Sequence, residues 1–152
     1  MFSCTSGKEA SPDVAIGVSF SESVADAPLD GRLLLMLSDD PSQEPRFQVN
    51  AGLNTQLVFG MNVEGMQPGE VITVDAEAYG FPYKNLAEVP PGTYQAQALL
   101  HVYETFNLSS GHTVKLPMDN GEGQQWNRSP GNLFSKPVEV VVGENGITGL
   151  QI

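Results

Sequence analysis

The chain has 152 residues, with 7 Lys and Arg against 18 Asp and Glu, a formal net charge of −11, and a single Cys, which excludes an intrachain disulfide framework. Hydrophobic residues at 40% and aromatics at 8% supply a core and argue against wholesale disorder, and no apolar run approaches the roughly 18 to 20 residues of a membrane helix. The acidic balance disfavours nucleic acid as a partner, because phosphate backbones are held largely by Lys and Arg, and 16 Gly with 11 Pro punctuate the chain too often for a helix bundle.

Residues 1–12 read as a flexible leash and residues 13–152 as one β-sandwich domain. The leash carries Cys4 between small and polar neighbours, which resembles the lipid-acceptor site of bacterial lipoproteins. Phe2 departs from the small residue usual two positions before that Cys, and the apolar signal segment is missing, so an incidental Cys in a chain terminus is the alternative. Cys4 is therefore a lipidation candidate, the sole route to a membrane, and no catalytic group.

From Asp13 the pattern is that of strands. Val14, Ile16, Val18 and Phe20 alternate with Ala15, Gly17 and Ser19, the period-2 signature of one buried face. The run Leu33 to Leu37 suits a strand covered on both faces, and Arg46 to Asn50, Gln56 to Val63 and Val71 to Ala76 give further candidates. The clearest strand runs from Thr93 to Glu104, with Tyr94, Ala96, Ala98, Leu100 and Val102 on one face and Gln95, Gln97, Leu99, His101 and Tyr103 on the other. Ser109-Ser110-Gly111-His112 reads as a tight turn into His112 to Leu116. The last strands are Leu133 to Val142, with Pro137 at an edge or bulge, and Gly146 to Ile152.

Eight or nine strands at turn-marked intervals, with no helical stretch between them, predict an all-β, immunoglobulin-like antiparallel sandwich. Tyr94, just after Pro91-Gly92 and at the start of the central strand, looks like the tyrosine corner of such sandwiches. Ala96 stands two positions on, where antibody-type domains place a Cys, so the disulfide version is excluded.

For chemistry, the Gly-x-Ser-x-Gly elbow of serine hydrolases is absent. His101 and His112, on the two strands of one hairpin, approach each other in this reading, but two histidines make an incomplete zinc site. Asp39-Asp40 with Glu44, and Asp119-Asn120-Gly121-Glu122, offer oxygens for calcium without the helix-bracketed loop pattern, and turn chemistry explains both. No cofactor is therefore expected, with calcium as the alternative. The most unusual segment is the long 118–132 loop, which holds the only Trp among amides and a guanidinium: Gln124, Gln125, Trp126, Asn127 and Arg128. Three readings are open for Trp126. It plugs one end of the sandwich, it contacts a partner domain, or it stacks on a sugar ring together with Tyr103 or Tyr83.

Pro91-Gly92-Thr93-Tyr94 through Ala98-Leu99-Leu100, followed by Gly123-Gln124-Gln125-Trp126-Asn127-Arg128-Ser129-Pro130-Gly131-Asn132-Leu133, resembles the β-sandwich region that precedes the hydrolase domain in some bacterial putative esterases. The first segment is generic for immunoglobulin-like modules, the second more specific. The resemblance implies an α/β-hydrolase domain downstream, which would carry the catalytic residues. It implies for this chain an extracytoplasmic, non-catalytic accessory role, docking that hydrolase domain through the 118–132 loop. The alternative function is a carbohydrate-binding module that holds polysaccharide with Trp126 and nearby tyrosines.

Overall fold

The structure, a computed structural model, describes residues 14–119, 121, 125–143 and 150–152; Cys4 and Gln124 lie outside the described residues. Among the described residues ten strands form two sheets. The smaller has the order β10-β1-β4, with β1 (Ile16–Ser19) between β4 (Ile72–Val74) and β10 (Leu150–Gln151). The larger runs β5-β3-β2-β6 through β5 (Tyr79–Phe81), β3 (Leu57–Met66), β2 (Leu29–Ser38) and β6 (Gly92–Asn107), and β6 also receives β7 (Thr113–Pro117), β8 (Leu133–Phe134) and β9 (Val138–Val142). All pairings are antiparallel except β1 with β10. The protein is thus an all-β sandwich.

The core lies between the sheets because both inner faces obey the strand period. Ile16 and Val18 from β1 and Val74 from β4 share one buried cluster with Leu33, Leu35 and Leu37 of β2, Phe59 of β3, and Ala96, Ala98 and Leu100 of β6. Tyr94 forms the corner that the sequence suggests: its hydroxyl donates to the Pro90 carbonyl oxygen at 2.9 Å. Ala96, in the place of an antibody-type Cys, is fully buried in the core.

Several elements differ from the sequence reading. Residues 46–50 form no strand; Pro45–Phe47 is a single turn of 3-10 helix with Pro at its start. The reason is competition for the backbone: the Arg46 N–H donates to the Gln97 side chain rather than to a neighbouring strand. The expected strand at 133–142 is two strands separated at residues 135–137, where Pro137 has no N–H for a ladder. The short edge strand β5 was not anticipated; it pairs with β3 and ends at the cis Phe81–Pro82 peptide.

Candidate functional site

Alternation along β2 sends Leu33, Leu35 and Leu37 into the core and Arg32, Leu34 and Met36 to the opposite, outer face of the large sheet. Register then fixes their neighbours. Arg32 lies between Asn62 and His101, Leu34 between Gly60 and Leu99, and Met36 between Val58 and Gln97. This outer face is roofed at one side by the 45–49 segment and by the 125–135 segment, and a hollow of about 340 Å³ remains between roof and sheet. Arg32, Leu34, Val49, Val58, His101 and Trp126 line it.

The roof is tied down through Gln97, whose side chain is fully buried. Its amide nitrogen donates to Glu44 Oε2 and to the Ser135 carbonyl oxygen, both at 2.8 Å, and its amide oxygen accepts the Arg46 N–H at 3.1 Å. The bond from Gln97, with Arg46 beside it, holds the Glu44 carboxyl below its ordinary range. Arg46 carries the tie across to the Trp126 loop, since it donates to the Asn127 carbonyl oxygen and accepts from Asn127 Nδ2 at its own. Its guanidinium also lies 3.7 Å over the Phe134 ring and 4.5 Å from the Phe47 ring centre. Asn132 adds the last tether, donating to the Trp126 carbonyl oxygen while accepting the Val102 N–H.

On the sheet itself, Arg32 is held flat. Its Nη1 donates to Asn62 Oδ1 at 2.9 Å and its Nη2 to the Gly60 carbonyl oxygen at 3.2 Å. A Cβ at Gly60 would come within 3.0 Å of Arg32 Nε and 3.1 Å of Nη2, so glycine in mid-strand is what gives the guanidinium its seat. Among the described residues no carboxylate lies within ion-pair distance of Arg32 or of Arg128, whereas Arg46 is paired with Glu44 and Lys115 with Asp30. A Lys115 hydrogen bond, with the Gly65 N–H, keeps the Asp30 carboxyl low.

His101 stands beside Arg32 on the same face, and burial pushes its imidazole below the ordinary value of 6.5, so it is neutral at neutral pH. A folded-state pKa below the unfolded one means that the His101 contribution to stability is fully present above about pH 6.5 and is lost as the pH falls through the folded value. Between about pH 7.5 and about pH 5.5 the urea midpoint of the protein should fall, and that of His101→Gln should fall less. Parallel profiles for the two proteins would contradict this account.

The site residues expected from the sequence divide as follows. Trp126 is half-buried on the outer sheet face, so it is no plug over the end of the sandwich. Tyr103 belongs to the same face: its ring meets the His101 ring edge-on at 5.8 Å between centroids, and His101 links it to the Trp126 hollow. Asn127 is engaged in holding the loop, while Gln125 and Arg128 are exposed, the latter 5.2 Å from the Phe47 ring centre. Tyr83 lies elsewhere, in a larger hollow of about 540 Å³ with Tyr94, Pro82 and Asp39 and no basic side chain in its lining.

The two histidines do not meet. Hairpin register sets Tyr103 against Pro117 and Asn107 against Thr113, which leaves His112 at the exposed tip, bonded to Ser110, and His101 beyond the end of β7. Glu44 turns to Gln97 and Arg46, so Asp39, Asp40 and Glu44 do not converge; among the described residues no three His, Cys, Asp or Glu side chains are grouped to hold a metal. Asn120 and Glu122 of the second acidic loop lie outside the described residues.

Arg32 and Gly60 escape sequence reasoning as site residues, and His101 enters it only as half of an incomplete zinc pair with His112. Strand alternation alone could have put Arg32 and His101 on outward faces, but nothing local sets them side by side. Comparison of the chain with protein-family models, with curated proteins and with solved structures found no match.

Proposed function

We propose that this chain is a non-catalytic β-sandwich module that binds carbohydrate on the outer face of its larger sheet. The observation that carries the reading is the hollow in which the Trp126 ring, the flat Arg32 guanidinium and the neutral His101 imidazole face one ligand-sized space. Sugars are recognised by this combination. An aromatic ring packs on the C–H face of a pyranose, and planar polar groups held in place bond to its hydroxyls without a large ordering cost. The same face continues past the hollow to Tyr103 on one side and, across β3, to the exposed Tyr79 and Phe81, which pair with Gly60 and Val58. A chain of several sugar units has room along it.

A second reading follows the esterase resemblance: an accessory domain, outside the cytoplasm, that docks a downstream hydrolase domain through the 118–132 loop. The exposure of Gln125 and Arg128 favours it. Affinity electrophoresis on a panel of neutral and acidic polysaccharides separates the two. Carbohydrate binding predicts retardation by at least one polymer and a loss of about tenfold or more in affinity for Trp126→Ala, since a stacked aromatic contributes on the order of 1 to 2 kcal/mol. No retardation by any polymer, or retardation that Trp126→Ala leaves intact, removes the carbohydrate reading. The docking reading would instead show as a change in Trp126 emission when the module is joined to its natural continuation.

A further inference from the structure

Resting on the carbohydrate reading, we infer that the hollow selects a sugar unit bearing a carboxylate, a uronate, with Arg32 as the residue that recognises it. The first reason is the state of Arg32. Of its N–H groups, one on each terminal nitrogen is engaged by Asn62 and by the Gly60 carbonyl oxygen, and the remaining donors have no acceptor among the described residues. Both partners are neutral, so the positive charge is uncompensated among the described residues. A guanidinium fixed in this way offers a preorganised fork, which matches a carboxylate better than a lone hydroxyl.

The second reason is the shape of the cradle. Gly60 interrupts the side-chain row of a central strand, at a site where a Cβ would press on both Arg32 and Leu34. Glycine within a strand weakens it by roughly 0.5 to 1 kcal/mol relative to alanine, and here it lets the guanidinium lie against the sheet beneath the Trp126 roof. The third reason is local charge. The chain as a whole is at −11, yet across both strand pairs Arg32 faces a neutral side chain, Asn62 or His101, and the carboxylate two residues back on its own strand, Asp30, is ion-paired with Lys115. Charges beyond about 8 to 10 Å are screened at physiological ionic strength, so the distant acidic remainder weighs little on Arg32, and the two nearby carboxylates, Asp30 and Glu64, are engaged by Lys115. The same remainder opposes densely charged polymers, which makes an isolated or chain-terminal uronate the better fit.

The test uses short oligosaccharides of galacturonate, mannuronate and glucuronate-bearing xylose, each against its methyl ester, titrated into the intact chain by calorimetry. The ester keeps every hydroxyl and removes the charge. At least one acid should bind about tenfold or more tighter than its ester, because a charge-assisted forked pair is roughly twice as strong as a neutral bond. Arg32→Gln should abolish that preference by weakening the acid at least about tenfold more than it weakens the ester, and Arg32→Lys should restore part of it. Equal binding of each acid and its ester, or an equal loss of both in Arg32→Gln, overturns the uronate assignment while the carbohydrate reading stands. No binding by any acid, ester or neutral polymer overturns both.

Discussion

Gly31→Ala should destabilise the protein by about 3 kcal/mol and lower its melting temperature by roughly 6 to 12 °C. Gly31 sits where β2 pairs with Val63 of β3 and Val102 of β6, just after a break in the β2–β3 register that lets the strand bend. A Cβ there would stand 2.3 Å from the His101 carbonyl oxygen, 3.1 Å from its carbon and 3.2 Å from Leu100 Cδ1. The obstacle is backbone in the middle of a five-strand path, so no rotamer change relieves it, and β2 or β6 must shift. Because the residue displaced is His101, a wall of the hollow moves with it, and ligand affinity should drop along with stability. Gly17→Ala provides the contrast. Its Cβ would meet only the tip of Val71, a 63% exposed side chain, at 2.9 Å. Thermal melts of the two variants should therefore differ by most of the Gly31 effect, and equal melting temperatures would refute the argument.

The contrast between the two glycines shows where sequence reading reaches and where it stops. Alternation in Thr93 to Glu104 puts Ala96, Ala98 and Leu100 on one face, and that face is the core. Tyr94 after a Pro-Gly pair, and Gly111 in the Ser109 to His112 turn with its φ of 85°, are local chemistry and equally readable. What could not be read is decided by strand neighbours far apart in sequence. Arg32 meets Asn62 and His101 only through the registers of β2 with β3 and β6, and a shift of one residue would turn all three faces over. Arg46 to Asn50 alternates well enough for a strand, yet tertiary bonds to Gln97 and Asn127 capture its backbone. Trp126 was legible as unusual; its seat on the outer sheet face was not, because that seat is built by Arg46 and Asn132 contacts across the fold.

Gln97→Leu should prove the second severe substitution, at about 3 kcal/mol, and it should act on the site more than on the sandwich. The leucine would occupy a similar volume, so the loss is one of bonds and not of packing. It leaves the Arg46 N–H and the Ser135 carbonyl oxygen without the partner that Gln97 supplies; each such buried group costs about 1 to 3 kcal/mol. Glu44 adds less, because its side chain is 39% exposed and regains water. The core cluster between the sheets does not include Gln97, so the strands should survive, with far-UV circular dichroism unchanged at low temperature. The roof should not survive intact. The 45–49 and 133–135 segments are both pinned through this one amide, and the Trp126 loop is fastened to the first of them by Arg46 and Asn127. Release of the roof should move Trp126 emission to the red, lower the melting temperature by roughly 6 to 12 °C, and weaken sugar binding as strongly as Trp126→Ala does. Unshifted emission with a melting temperature within about 2 °C of the parent would mean that the roof stands without Gln97, and that the hollow owes its form to the Phe47 and Phe134 contacts with Arg46 instead.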